Sequence, residues 1–511
     1  MLKTLAAAVL GALALAGGAT AGPALRVGAV EDAAIWADPS AQMDLARLAG
    51  FDTIRMTAQW TTGRTAVDPH LMGRLQRAAT AATARGIQPV VSIYNQGGAW
   101  TPADDAGRRQ FAQYAASVVR ELPWVTTFIV GNEPNSSLYW QPQSGAASAY
   151  EQLLAAAYDA IKAARPGVTV VGGALDSRGS TPPSAFIQEL GAAYRASGRN
   201  APIMDVFDQH VYPDNSTLPP SMPHAGPSIG AGDYRKLVAL LGKAFDGTAQ
   251  HGSTLPILYG EFGIDGAIPP AKASLYTGAE TAKVVDEATQ ARYYVEALKL
   301  ALCQPTVVGF YTFHVVDEAA LTGWQSGPFY VDGTPKSSLG AIRDAIAAAH
   351  AGTLARCPDA TPPTVSIRIG GDEVTAAAVD DVGVGEVELV VNGSVVDVDY
   401  TAPYSFAWPR PKRGGYVLEV RALDAAGNVG VAAGVVGMRT LSGARGRILR
   451  GAGGTFAWRA PKTAHVTFKA PRALHVYAGA RHLAGARVRF AARRGMVYRL
   501  SVPALPLSWR S

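Results

Sequence analysis

Cysteine is scarce: the chain has two in 511 residues, Cys303 and Cys357. Neither has a C-x-x-C neighbour, which removes the usual spacing of a thiolate zinc site. No G-x-G-x-x-G follows the first strand-like run, so a dinucleotide-binding fold lacks its main support. No run reaches the roughly 20 apolar residues of a membrane helix, and no membrane span is expected. Acidic residues are missing altogether from 439–511, a stretch that holds 15 Lys and Arg. Charged residues make up 17% of the chain and hydrophobic ones 48%, a balance that excludes disorder throughout.

The first residues have the pattern of a secretory signal, residues 1–21. Lys3 is the positive n-region, Leu5 to Ala16 the apolar core and Ala19-Thr20-Ala21 the small-residue cleavage site. A secreted protein, extracellular or held at the cell wall, is expected. In that oxidising setting a Cys303–Cys357 disulfide is expected over two buried thiols. It would tie the end of a helix to the segment that leaves the domain.

The formal charge of +6 conceals an asymmetry. Residues 1–438 hold 31 basic against 40 acidic residues, a balance of −9, so an acidic body carries a basic tail. The tail suits anionic wall polymers or acidic polysaccharide, held by salt-sensitive attraction. Solvated arginines with no partner are the alternative. Export and the lack of a binding motif argue against nucleic acid. A monomer is expected.

At this length roughly three units are expected. Residues 22–357 alternate short apolar runs with stretches of helical spacing. The runs are Leu25–Val30, Thr53–Thr57, Gln88–Tyr94, Thr126–Gly131, Val168–Gly173, Met204–His210, Ile257–Gly260 and Val307–Phe313. Helical segments near 40–50, 68–86, 103–122, 147–165, 183–196, 232–246, 286–302 and 336–350 follow them in turn. Eight such units predict an α/β fold, a (β/α)8 TIM barrel. A Pro-rich linker comes next, and the period then switches to two. Residues 358–438 predict a β-sandwich, and 439–511 a basic, β-rich region to which no fold is assigned.

Reactive groups of such a barrel gather at the C-terminal ends of its strands. Reading those ends gives Arg55, Trp60, Tyr94, Asn95, Asn132, Glu133, His210, Tyr212, Glu261, His314 and Asp317. Glu133 and Glu261 each end an apolar run, 128 positions apart, and would face one another across the mouth. A facing carboxylate pair is what glycosidic cleavage requires.

Asn132-Glu133-Pro134 at the fourth strand and Glu261 at the seventh resemble clan A glycoside hydrolases. Arg55 and His210-x-Tyr212 are similar to the pattern of family 5, the cellulase-like enzymes. The stretch from Asn132 through Tyr139-Trp140 and Tyr150 to Gly173 is similar to family 39. The chain departs from family 5 at Tyr94-Asn95, where a histidine is usual. It departs again at Phe313-His314, where a tryptophan is usual, with Trp324 ten residues beyond His314.

The resemblance implies a retaining β-glycosidase that uses no cofactor or metal and acts on a poly- or oligosaccharide, and the accessory β-module favours endo action. Glu261 would be the nucleophile, Glu133 the acid/base, and Asn132 a partner of the sugar 2-hydroxyl. Arg55, His210, Tyr212, Tyr94, Asn95 and His314 would line the substrate site. Trp100, Trp140 and Trp324, with Trp60 and Tyr139, are candidate stacking platforms. A non-catalytic carbohydrate-binding or wall-adhesion protein on a barrel scaffold is the alternative. Asp424-Ala-Ala-Gly-Asn428 resembles the closing hairpin of bacterial immunoglobulin-like modules.

Overall fold

The computed structural model describes residues 25–224, 226–354, 361–380, 383–409, 415–424, 427–441, 452–478, 481–505 and 507–510. Strands β1 (Arg26–Val30), β2 (Thr53–Trp60), β3 (Gln88–Asn95) and β4 (Thr127–Val130) continue into β5 (Thr169–Leu175), β6 (Val206–His210), β7 (Ile257–Phe262) and β8 (Val307–Phe313). They close into one parallel barrel in sequence order, with β8 returning to β1 through Gly28↔Tyr311.

Parallel neighbours require crossovers, and helices supply them. These are α1 (Ala33–Trp36), α2 (Pro39–Leu48), α3 (Pro69–Ala84), α4 (Asp105–Glu121), α5 (Ala146–Ala164), α6 (Pro183–Ser197), α7 (Tyr234–Phe245), α8 (Glu287–Cys303) and α9 (Leu339–His350). Four begin behind an aspartate whose carboxylate accepts first-turn N–H groups: Asp38, Asp68, Asp104 and Asp286. Such caps satisfy donors that the helix itself cannot.

Helices cover the outer faces of the strands, which therefore read as near-continuous apolar runs. Val30, Val90, Ile129, Val171, Leu258 and Tyr311 form a cluster of their own. They come from six different strands, so they can meet only inside the barrel. Arg55 lies level with Val30 and with Val90 in the register and shares that interior face.

Beyond the barrel the sandwich is present. One sheet runs β13-β10-β9, from β9 (Thr364–Gly370), β10 (Glu373–Val379) and β13 (Tyr404–Ala407). The other runs β12-β11-β14-β15, from β11 (Val384–Val391), β12 (Ser394–Asp399), β14 (Tyr416–Asp424) and β15 (Val429–Val436). Val374, Leu389, Phe406, Trp408, Leu418 and Val420 pack between them, consistent with an immunoglobulin-like module. It touches the barrel, where Arg235 on α7 pairs with Glu386 on β11 at 3.1 Å.

The basic region is a further antiparallel sheet. β17 (Ala452–Arg459), β18 (Ala464–Ala478), β19 (Arg481–Ala492) and β20 (Val497–Ala504) are joined by β16 (Arg439–Leu441) and β21 (Ser508–Arg510). Its core of Phe456, Trp458, Val466, Phe468, Phe490, Leu500 and Trp509 is separate from the others. Residues 1–21, read from the sequence as a secretory signal, lie outside the described residues, as does Cys357. Cys303, the last residue of α8, is disulfide-bonded.

Candidate active site

Three strands deliver the centre of the site. Glu133 follows β4 in a left-handed backbone conformation, φ 44°, with its N–H donating to Ala174 O at 2.8 Å. Non-glycine residues enter that region at a cost and gather at functional sites. Glu261 is in β7. His210 ends β6, and its Nδ1 lies 2.9 Å from Glu133 Oε1 and 3.4 Å from Glu261 Oε2. One ring nitrogen thus spans both carboxylates, and an oxygen of each glutamate falls within 4.8 Å of the other and of the ring.

The two carboxylates differ in their other partners. Arg55 Nη1 donates to Glu261 Oε1 at 2.8 Å, and the Tyr212 hydroxyl donates to Oε2 at 2.9 Å. Arg55 Nη2 donates to Asn132 Oδ1 at 2.7 Å, so one guanidinium fixes both residues. Burial favours the neutral form of Glu261. His210, Arg55 and the Tyr212 hydroxyl outweigh it, and the group stays below the usual glutamate range. Glu133 moves the opposite way: burial raises it, the His210 contact lowers it in part, and Glu261 raises it further. Burial works against charge on His210, but Glu261, the Glu133 hydrogen bond and Asp208 push the ring up to about 9. The environment thus favours the anion at Glu261, the cation at His210 and the neutral acid at Glu133. The site can attack with one carboxylate while donating a proton from the other.

Glu133, His210 and Glu261 could in principle also ligate a cation. Arg55 and charged His210 already neutralise the pair, and both Glu261 oxygens are spent on protein donors. The surroundings suit a proton better than a metal ion.

Other residues named from the sequence divide into two groups. Tyr94 lies near Arg55 and Glu261, with its hydroxyl 3.4 Å from Thr57 Oγ1; burial first, then Asp32, pushes it to about 12. Trp324 is half-buried and tilts over Tyr212, ring centroids 4.8 Å apart. His314 follows β8 at φ 73°, packed on Phe313 with centroids 4.1 Å apart. Trp100 stands exposed at 41% in the loop after β3.

Asn95, Trp140, Trp60 and Asp317 require correction. Asn95 is buried, and its Nδ2 is spent on Gly97 O and Tyr139 O, so it stitches two loops together. Trp140 is 3% exposed and sits edge-on to Tyr150, a core residue and not a sugar platform. Trp60 is fully buried against Phe111, its indole N–H held by Arg64 O. Asp317 is buried with Lys336 at 2.8 Å and Tyr276 at 2.8 Å, which pins the Asp332–Lys336 segment.

Sequence reasoning missed Asp208, Glu31 and Asp32. Asp208 lies two residues before His210 and, by strand alternation, on the same interior face. It accepts the Gly260 N–H at 2.8 Å, and burial pushes it up to about 6. A Cβ on Gly260 would come within 2.3 Å of its carboxylate, so only glycine fits there. Glu31 and Asp32 follow β1 directly. Glu31 accepts N–H groups of Ala33, Val315 and Val316, and Asp32 accepts that of Thr57. The strand-end signal that found Glu133 was equally present at β1.

A hollow of about 310 Å³ lies on the β6–β8 side, lined by Asn215, Gly263, Trp324 and by Tyr212, whose hydroxyl donates to Glu261. Another of about 260 Å³ lies at the β2–β3 side, bounded by Trp60, Thr101 and Asp104. In an eight-stranded barrel these are opposite sides of the mouth.

Comparison with known proteins finds similarity of two kinds. Residues 370–420 match the bacterial Ig domain family. No curated protein matches the chain. Among solved structures, a family 39 glycoside hydrolase from the gut symbiont Bacteroides cellulosilyticus WH2 is similar at 16% identity and TM-score 0.49, covering 94% of this chain and 81% of that one. The GH39 enzyme from Xanthomonas axonopodis pv. citri is similar at 14% identity and TM-score 0.45, covering 96% of each. A GH5-4 broad-specificity endoglucanase from Clostridium longisporum is similar at 14% identity and TM-score 0.45, over 65% of this chain and 97% of that one. Likenesses at this level carry no argument about chemistry, which rests on the geometry of the mouth.

Proposed function

We propose that the barrel is a retaining glycoside hydrolase that cleaves β-O-glycosidic bonds of a polysaccharide by double displacement. The observation that carries this reading is the pair of differently tuned carboxylates, Glu133 and Glu261, with oxygens within 4.8 Å. Retaining enzymes hold such groups about 5–5.5 Å apart, whereas inversion needs room for a water between them.

Ionised Glu261 attacks the anomeric carbon as the bond to the departing oxygen breaks, and that oxygen takes the proton of Glu133. Loss of the Glu261 charge on glycosylation removes one cause of the raised Glu133, which then accepts a proton from the incoming water. The water oxygen bonds to the anomeric carbon and Glu261 is released. Asn132 spends its oxygen on Arg55, which leaves its amide hydrogens for the sugar 2-hydroxyl. Hollows on both sides of the pair, with Trp100 beyond, favour internal cleavage of a long chain. Secretion is part of the same proposal and rests on the leader-like residues 1–21.

Hydrolysis of aryl β-glycosides, followed by proton NMR of the first-formed anomer, tests the reading. The expected product is the β-anomer. An α-anomer at early times, or wild-type activity in Glu261→Ala, would overturn the mechanism.

A further inference from the structure

The C-terminal sheet separates its side chains by face. Val466, Phe468, Leu474, Val476, Val488 and Phe490 of β18 and β19 point into its core. The intervening residues carry the charge. Lys469 lies directly across from Arg487, and Arg489 follows on the same face of β19. All three are exposed, and none makes an ion pair among the described residues. Like charges placed directly opposite destabilise a strand pair. Residues 439–511 contain no Asp or Glu to relieve this one. Glu419 of the sandwich borders the module near Tyr477 and Arg499 and is engaged with Arg421 at 3.1 Å. Among the described residues no carboxylate pairs with these three cations, which leaves them free to meet an external polyanion.

We infer that this face of β18–β19 binds a carboxylated polysaccharide. Rings on the same face discriminate between polyanions. His482 stacks between His475 and Tyr477, at 5.1 and 4.7 Å, and Arg499 covers Tyr477 at 4.9 Å. His482 and Tyr477 each lie between two neighbours, and His475 Nδ1 and His482 Nε2 engage one another at 2.9 Å, so the group offers its remaining nitrogen edges and the Tyr477 hydroxyl to hydroxyl groups. It does not offer the free platforms on which unpaired bases stack. A flat sheet with cations in rows and hydrogen-bonding edges suits a sugar chain carrying carboxylates. The inference does not depend on the barrel's activity.

Binding of the full-length protein to fluorescein-labelled oligogalacturonate tests it. Wild type should bind at about 50 mM salt and weaken about tenfold or more by about 300 mM, as screening shortens the reach of surface charge. K469Q/R487Q/R489Q should weaken binding about tenfold at low salt. R77Q/R109Q/R120Q, which removes the same charge from α3 and α4, should stay within about twofold. R487K/R489K should retain binding, which separates charge loss from misfolding. Four results would each overturn the inference: unchanged binding in the triple glutamine variant, an equal loss in the barrel control, equal affinity for fully methyl-esterified oligogalacturonate, or equal affinity for duplex DNA.

Discussion

Around Glu133 and Glu261, charges of both signs are buried and partnered; on the β18–β19 face, charges of one sign are exposed and have no ionic partner among the described residues. The mouth meets a high desolvation cost with short contacts: Arg55 to Glu261, Arg55 to Asn132 and His210 to both glutamates. Such an arrangement holds reacting groups still before substrate arrives. The sheet face meets almost no desolvation cost, because water solvates its cations. It gains only when a polyanion displaces that water and its counterions. Preorganisation belongs to the first and adaptability to the second, and the two respond differently to mutation, pH and salt.

The largest break in that contrast comes from removing a reacting group. Glu261→Ala should lower kcat on the order of 10⁴-fold or more, measured on an activated aryl glycoside so that binding is little affected. Salt-dependent binding at the sheet face should not move. Glu133→Ala comes next, with a loss of about 10²–10⁴-fold on substrates with poor leaving groups. Azide should restore turnover and yield a glycosyl azide of retained configuration. A failure of azide to rescue would remove Glu133 from the acid/base role.

The pH profile sharpens the comparison further. In the proposed mechanism turnover needs Glu261 ionised and Glu133 protonated, with His210 charged between them. Glu261 lies below its ordinary range and Glu133 above it, so kcat/KM should fall at both ends of a bell-shaped curve. Asp208, ionised above about 6, helps hold His210 charged up to about 9. Asp208→Asn removes that support, so His210 loses its proton at lower pH. The alkaline limb should move to lower pH while the fold persists. An unmoved limb would limit Asp208 to holding the Gly260 backbone.

The smallest expected change separates two tryptophans in neighbouring loops. Trp140→Ala should cost about 3–5 kcal/mol of stability in a denaturant titration, because it empties a core site beside Tyr150. Trp100→Ala should leave stability within about 0.5 kcal/mol, as for other surface changes. It should raise KM several-fold for long oligosaccharides and leave short aryl glycosides unaffected.

The barrel was legible because strand and helix periods alternate eight times and the helices carry aspartate caps. The carboxylate pair was legible because a polar residue ending an apolar run is a visible interruption. Tryptophan gave no such signal: Trp100 and Trp140 both sit among loop residues, and only packing distinguishes them. Asp208 was hidden inside an apolar run, although its spacing from His210 could have exposed it. In the C-terminal region, Pro471 interrupts the sequence pattern within what the structure makes one strand, β18 (Ala464–Ala478). The structure absorbs that proline at the register shift between Lys469 and Leu474, where a ladder donor is not required.

The left-handed turn at Glu133 has a consequence for how this protein could change. A residue that tolerates that conformation, asparagine for example, would relax the chain there, so Glu133→Asn should melt at a higher temperature than the parent as it loses turnover. Stability alone would favour discarding the acid. Under the proposed mechanism, the cost of that angle is what places the acid at the mouth.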